Sequence, residues 1–221
     1  MQYFLTGWED GVTDLAERLI HELAGGNRVL WLVSGGSNIE ASVEVMQHIP
    51  SELSSNLIVM PVDERYGPEG HQDSNWAALL EAGFSGEQAI MYPVLQGNLS
   101  FQAAIIRFEH IASKAFRAAD LVIAQLGIGE DGHIAGILPK SEATRETNDL
   151  VVGYHTEAFN RLTMTFTGLK KINVAYVFAF GELKAQALRT LATKILPLET
   201  QPAQILKQLQ EAYVYNDQEG E

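Results

Sequence analysis

Val29-Leu30-Trp31-Leu32-Val33 is an unbroken apolar run, and Ser34-Gly35-Gly36-Ser37-Asn38 follows it directly. An apolar run of this length reads as a strand buried on both faces. The paired glycines let the chain turn tightly and let backbone approach a ligand. Residues 38–48 read as a helix, so the stretch is strand, glycine turn, helix start. A helix start offers unpaired N–H groups and a partial positive charge, which suit a phosphate. The same residues also serve as a plain strand-to-helix turn with Ser37 or Asn38 as N-cap. No Gly-Lys-Ser/Thr follows, so this is not a Walker loop.

The pattern repeats outward. Leu57 to Met60, Leu121 to Leu126 and Asn173 to Phe180 read as further buried strands. Val12, Leu15, Leu19 and Leu23 recur at helical spacing until Gly25-Gly26 ends the run. Helices are also expected over 76–82, over 101–117 with Ile105, Phe108, Ile111 and Phe116 inward, and from Glu182 to about Ala192. Strands alternating with helices predict an α/β fold, a mostly parallel sheet with helices on both faces. No repeat, linker or composition shift divides the chain, so residues 1–221 are expected to form one domain. Asn216 to Glu221 reads as frayed polar chain. In such sheets ligands sit beyond the carboxyl ends of strands, so those segments are where chemistry is expected.

Composition narrows the classes. The 221 residues are 46% apolar and 19% charged, a globular balance. Fifteen basic against 28 acidic residues give a net charge of −13, which disfavours nucleic acid and anionic membranes as partners. The absence of cysteine excludes disulfides, thiolate metal sites and cysteine nucleophiles, and it fits a reducing cytoplasm. Met1 to Gly11 carries Glu9 and Asp10 without Lys or Arg, unlike a secretory signal. The apolar runs fall short of the ~20 residues of a membrane span. A cytoplasmic protein is expected.

Three more strand ends carry chemistry-bearing residues. Val62-Asp63-Glu64-Arg65-Tyr66 places three charges together, where Arg65 suits an anion and Asp63 suits a base or its orienting partner. A solvated ion cluster is the alternative. Gly127-Ile128-Gly129-Glu130-Asp131-Gly132-His133 formally matches G-x-G-x-x-G, but Pro139 leaves little room for the long helix that a dinucleotide site needs. Glycines instead place His133 at a strand's end, where an imidazole can take a proton from water; the alternative is a hydrogen-bonded structural histidine. Gly181-Glu182-Leu183-Lys184 puts a lysine in a first helical turn, which is tolerated more easily beside a bound anion. Arg161, before the alternating Leu162 to Phe166, is another cation of this kind.

In their order along the chain these segments resemble the family of 6-phosphogluconolactonases and glucosamine-6-phosphate isomerases/deaminases. Ser34-Gly35-Gly36-Ser37 is similar to its phosphate loop. Asp63-Glu64-Arg65 with Ser74-Asn75 resembles its D-E-R…S-N signature, and Leu126 to His133 resembles its L-G-x-G-x-D-G-H. Arg161 before Leu-Thr, and Gly181-x-x-Lys184, resemble its later arginine and G-x-x-K. The resemblance implies a Rossmann-like domain, a phosphorylated sugar ligand, no cofactor and no metal. It implies His133 as general base, with Ser34, Gly35, Gly36, Ser37, Arg161 and Lys184 on the phosphate and Asp63, Arg65 and Asp131 lining the site. A glutamate stands five residues after the histidine in the isomerase/deaminase branch, and here that position is Leu138, followed by Pro139. The expected activity is hydrolysis of 6-phosphoglucono-δ-lactone, by a monomer or small homo-oligomer. A sugar-phosphate isomerase/deaminase or a non-catalytic sugar-phosphate sensor are the alternatives. The family's usual Thr-Pro after Ser-Gly-Gly-Ser is replaced here by Asn38-Ile39.

Overall fold

The computed structural model describes residues 1–86, 88–145 and 147–218. In chain order the elements are β1 (Gln2–Leu5), α1 (Trp8–Ala24), β2 (Val29–Val33), α2 (Ile39–His48), β3 (Leu57–Pro61), β4 (Asp63–Arg65), α3 (Asn75–Glu81), β5 (Ile90–Met91), α4 (Phe101–Ala118), β6 (Leu121–Gly127), β7 (Val151–His155), β8 (Asn160–Met164), α5 (Phe166–Leu169), β9 (Val174–Ala179), α6 (Ala185–Thr193) and β10 (Glu211–Asn216). Seven strands form one sheet in the order β1-β10-β9-β6-β2-β3-β5. Every neighbouring pair in it is parallel. The chain thus adopts the expected α/β architecture.

The strands read as continuous apolar runs because both faces are covered. Leu30, Leu32, Ile58, Met60, Ala124 and Leu126 pack beneath α4 and α6, where Phe108 and Leu188 meet them. Trp31, Val59, Ile123, Tyr176 and Phe178 face the other way, toward Leu15 and Leu19 of α1 and Val45 of α2. Each fully buried Leu, Ile, Val, Met or Phe among them contributes ~1.5–3 kcal/mol. The end of α1 follows from Gly26 at φ +85°. Its N–H donates to the Leu23 carbonyl while the Asn27 N–H donates to that of Glu22, a glycine C-terminal motif.

The sheet is wider than the apolar runs predict, because β10 and β1 complete one edge. Three of the four residues of β1 are exposed, so it carries no buried-strand signature. Asn216, expected in a frayed tail, is the fully buried last residue of β10. Its Nδ2 donates to the Phe4 carbonyl at 3.2 Å and ties the two strands together. Residues 219–221 of that expected tail lie outside the described residues.

Beyond β3 the chain leaves the main sheet. The segment after Val62 forms β4, which pairs antiparallel with β8 in a three-stranded sheet, β4-β8-β7. Of the alternating stretch Leu162 to Phe166, Leu162 to Met164 fall on β8, while Thr165 caps α5 and Phe166 opens it. In the main sheet β2 and β6 lie side by side. From them the chain steps to β3 and β5 on one side and to β9 and β10 on the other. This is a topological switch point, where the loops leaving two strands part and open a crevice. Among the described residues no helix is long and apolar enough to cross a membrane.

Candidate active site

The loop after β2 is fixed from several directions. Ser34 Oγ donates to the Gln125 carbonyl at 2.9 Å. Gly35 lies against Asn75 so closely that a Cβ would fall 2.0 Å from Asn75 Oδ1. Gly36 has φ +65°, a conformation that glycine adopts without steric cost. The Asn38 carbonyl receives the Gln125 Nε2 amide at 3.0 Å. Asn38 holds the N-cap position of α2 but its side chain makes no capping hydrogen bond. It lies instead against Gly127, where an added Cβ would come within 2.6 Å of Asn38 Nδ2. The alternative of Ser37 or Asn38 as N-cap is thus met in position by Asn38, but without a side-chain cap. A single 3-10 turn, Gly36–Asn38, precedes α2 in place of it.

Lys184 reaches this loop from far along the chain: its Nζ donates to Ser37 Oγ at 3.4 Å. Gly181, at φ +101°, turns the chain out of β9 and into the 3-10 turn that holds Lys184. Burial pushes the Lys184 ammonium below the usual lysine range, against the upward pull of the Asp217 carboxylate. A bound anion would offset that desolvation.

His133 is delivered by a glycine turn at the end of β6. The Gly132 N–H donates to Gly129 and the Gly129 N–H to His133, with Gly132 at φ +82°. The imidazole rests on Gly129, where a Cβ would fall 2.1 Å from both Cε1 and Nδ1. Asp131 Oδ1 accepts from the His133 N–H at 3.0 Å and pairs with ring Nδ1 at 2.7 Å. Partial burial alone would raise the Asp131 carboxyl, but the hydrogen bonds from His133 outweigh it and hold it below the usual aspartate range. A carboxylate accepts, so Nδ1 carries the proton and Nε2 is left as an acceptor.

The three charges of 63–65 separate into two kinds. Glu64 is fully buried and belongs to the scaffold. It accepts from the N–H groups of Arg65, Asn75 and Trp76 and from Ser74 Oγ at 2.7–3.0 Å, fastening the start of α3 beneath the cleft. Asp63 and Arg65 face the cleft itself. Burial raises the Asp63 carboxyl, opposed by Arg161, Arg65, His133 and Asn75. Arg65 and Arg161 are direct cross-strand partners in β4 and β8, and both guanidinium groups lie over the Phe159 ring, at 5.3 and 5.9 Å. Like charges directly opposite on a sheet are destabilising, and an anion between them relieves that. Both Nε atoms are buried without a hydrogen-bond partner.

One cleft of about 250 Å³ collects these groups. Ser34, Gly35, Gly36, Ser37, Asp63, Arg65, His133, Arg161 and Lys184 all line it, so every expected site residue is brought together except Asp131, which stands behind His133. Asn75, Ala135 and Ile128 also line the cleft; Asn75 and Ile128 stand in motifs quoted above, but none of the three was among the expected site residues. Asn75 had a signal in Ser74, whose Oγ caps α3 through the Ala77 N–H at 3.0 Å; the residue after such a cap starts the helix. Phe159, the platform for both arginines, had none, because it belongs to the turn between β7 and β8. Among the described residues no group of three or more His, Asp or Glu side chains is placed to hold a metal ion.

Chemically, the arrangement sets a cation-bearing, glycine-backed loop and a carboxylate-oriented imidazole around one small volume. The fold is shared with solved structures. The 6-phosphogluconolactonase of Thermotoga maritima superposes with a TM-score of 0.79 at 20% identity, over 97% of both chains. A monomeric glucosamine-6-phosphate deaminase gives 0.78 at 19%, over 98% of this chain and 97% of that one. In sequence, a 6-phosphogluconolactonase of Pseudomonas aeruginosa is 32% identical over 130 residues, which span 58% of this chain and 53% of the relative. The model of the glucosamine-6-phosphate isomerases/6-phosphogluconolactonase family matches residues 8–215, and the chain belongs to that family.

Proposed function

We propose that this chain hydrolyses 6-phosphoglucono-δ-lactone to 6-phosphogluconate, acting as a single hydrolase domain without a cofactor. The observation that carries the reading is the meeting of Lys184 with the Ser34–Asn38 loop in the same cleft as the Asp131–His133 pair. The Pseudomonas aeruginosa and Thermotoga maritima relatives are both named 6-phosphogluconolactonase, which supports the same assignment. Leu138 supports it further against the isomerase/deaminase alternative, since that position carries no carboxylate to complete a ring-opening relay.

The substrate phosphate docks on the Gly35-Gly36 backbone and Ser37, with Lys184 and Arg161 supplying charge. His133 Nε2 takes a proton from a water, and the water oxygen bonds to C1 of the lactone. Arg65 faces the oxyanion that develops there. As the C1–ring oxygen bond breaks, the protonated imidazole returns its proton to that oxygen. The products are a hydroxyl at C5 and a carboxylic acid at C1, which ionises. Asp131 keeps Nδ1 protonated throughout, so that Nε2 starts each cycle as a base.

The test is lactone hydrolysis measured against the spontaneous rate for the wild type and for His133→Ala. General acid–base catalysis is typically worth ~10²–10⁴-fold, and the variant should lose about that much of kcat. Binding of 6-phosphogluconate should survive. Wild-type turnover no faster than the spontaneous rate would remove the assignment, and ammonia release from glucosamine 6-phosphate would replace it with the deaminase reading.

A further inference from the structure

We infer that Gln125 is the positioning residue of the phosphate loop, closing it at both ends from the neighbouring strand. Gln125 sits in β6 with no exposed surface, on the face that turns toward α2. Its carbonyl receives Ser34 Oγ at 2.9 Å, at the start of the loop. Its side-chain Nε2 donates to the Asn38 carbonyl at 3.0 Å, at the end of the loop. One residue of β6 therefore spans the loop that leaves β2.

The side-chain bonds fix one another. A carbonyl only accepts, so the Gln125 NH₂ must face Asn38 and Oε1 must face away. Oε1 is met there by Ser42 Oγ from the first turns of α2. Ser42 Oγ also lies 3.1 Å from the Asn38 carbonyl. A hydroxyl has one proton, and it goes to the nearer oxygen, Oε1, which can only accept. The result is a buried chain of hydrogen bonds from Ser42 through Gln125 to Asn38. Ile39, not a proline, opens α2, and no side chain caps it; the direction of the Asn38 peptide, and with it the backbone that faces the cleft, is left to this chain. An amide on an otherwise apolar strand is kept only where its partners are met, and here those partners are loop and helix rather than bulk core.

The inference rests on the sugar-phosphate reading of the cleft. If Gln125 holds the loop, losing its amide weakens binding of the phosphate equally in ground and transition states. Such uniform binding appears in KM and spares kcat. Gln125→Met keeps the volume and removes the donor. Steady-state lactone hydrolysis by this variant should show KM for the phosphorylated lactone raised about tenfold, with kcat within about threefold. The preference for phosphorylated over unphosphorylated δ-lactone should fall by the same factor as KM rises. Ser42→Ala, which removes only the bond to Oε1, should move KM in the same direction by less, and it serves if the methionine variant does not fold. An unchanged KM and preference in both folded variants would overturn the positioning role, as would a loss confined to kcat. Wild-type protein that neither accelerates hydrolysis nor binds 6-phosphogluconate in calorimetry would overturn the sugar-phosphate reading itself, and this inference with it; the wild-type arm separates the two failures.

Discussion

Asp63 is a carboxyl nine-tenths out of water with two arginines and an imidazole around it. Burial wins over those neighbours and raises its pKa from the ordinary 3.8. A folded-state pKa above the unfolded one means the folded chain binds the proton more tightly. That contribution is complete below the ordinary value and is lost as pH rises through the folded value. Asp63→Asn removes the titration and keeps the shape. Its thermal midpoint, set against that of the wild type, should therefore gain as pH climbs from near 3.8 toward neutrality. Melting both proteins across that range checks the sign, and a variant that loses ground to the wild type as pH climbs would mean the arginines and His133 outweigh desolvation. At this scale the sequence was readable for polar residues at strand ends, where a charge has no structural reason to be. It was silent on Gln125, although an amide inside Leu121 to Leu126 is the kind of residue that must find partners. It also grouped Glu64 with its neighbours, because adjacent strand residues point to opposite faces only once the strand is placed.

The turn that ends β6 shows how an element sets a reactive group. Gly129 has no left-handed conformation to require glycine; the requirement is space, since a Cβ would sit 2.1 Å from the imidazole. Gly129→Ala should therefore fold, displace the ring from Asp131 and cut kcat. Misplacing a reacting group by about 1 Å costs on the order of 10²-fold. Circular dichroism and turnover separate the two effects: a native melt with full kcat would show the ring tolerates the methyl group. Elements buried on both faces were legible, because a strand without a polar face has to be covered on both sides. β1 and β10 were not. β1 exposes three of its four residues, and β10 alternates Tyr213 and Tyr215 with smaller residues in a stretch that ends on polar chain. The antiparallel β4-β8-β7 sheet was hidden for a related reason. Its strands are three to five residues long, and they are held by pairing between distant segments rather than by a local pattern.

Over the whole molecule, a chain of net charge −13 is proposed to attract an anionic sugar phosphate. Two fields compete for that substrate. The distributed acidic surface repels it from a distance, while Arg65, Arg161 and Lys184 attract it only within the cleft. Salt separates the two by range. The Debye length shrinks from ~30 Å at 0.01 M to ~8 Å at physiological ionic strength. Over that interval the long-range repulsion is mostly removed. The contacts inside the cleft are short and partly buried, and they are screened much less. The expected outcome is that kcat/KM for the phosphorylated lactone rises between those two ionic strengths, while that for the unphosphorylated lactone stays level. At ~1 M, where the Debye length is ~3 Å, the phosphorylated substrate should lose its advantage. A value that falls steadily from the lowest salt upward would show that the cleft's field reaches past the surface charge and that the acidic exterior does not govern encounter.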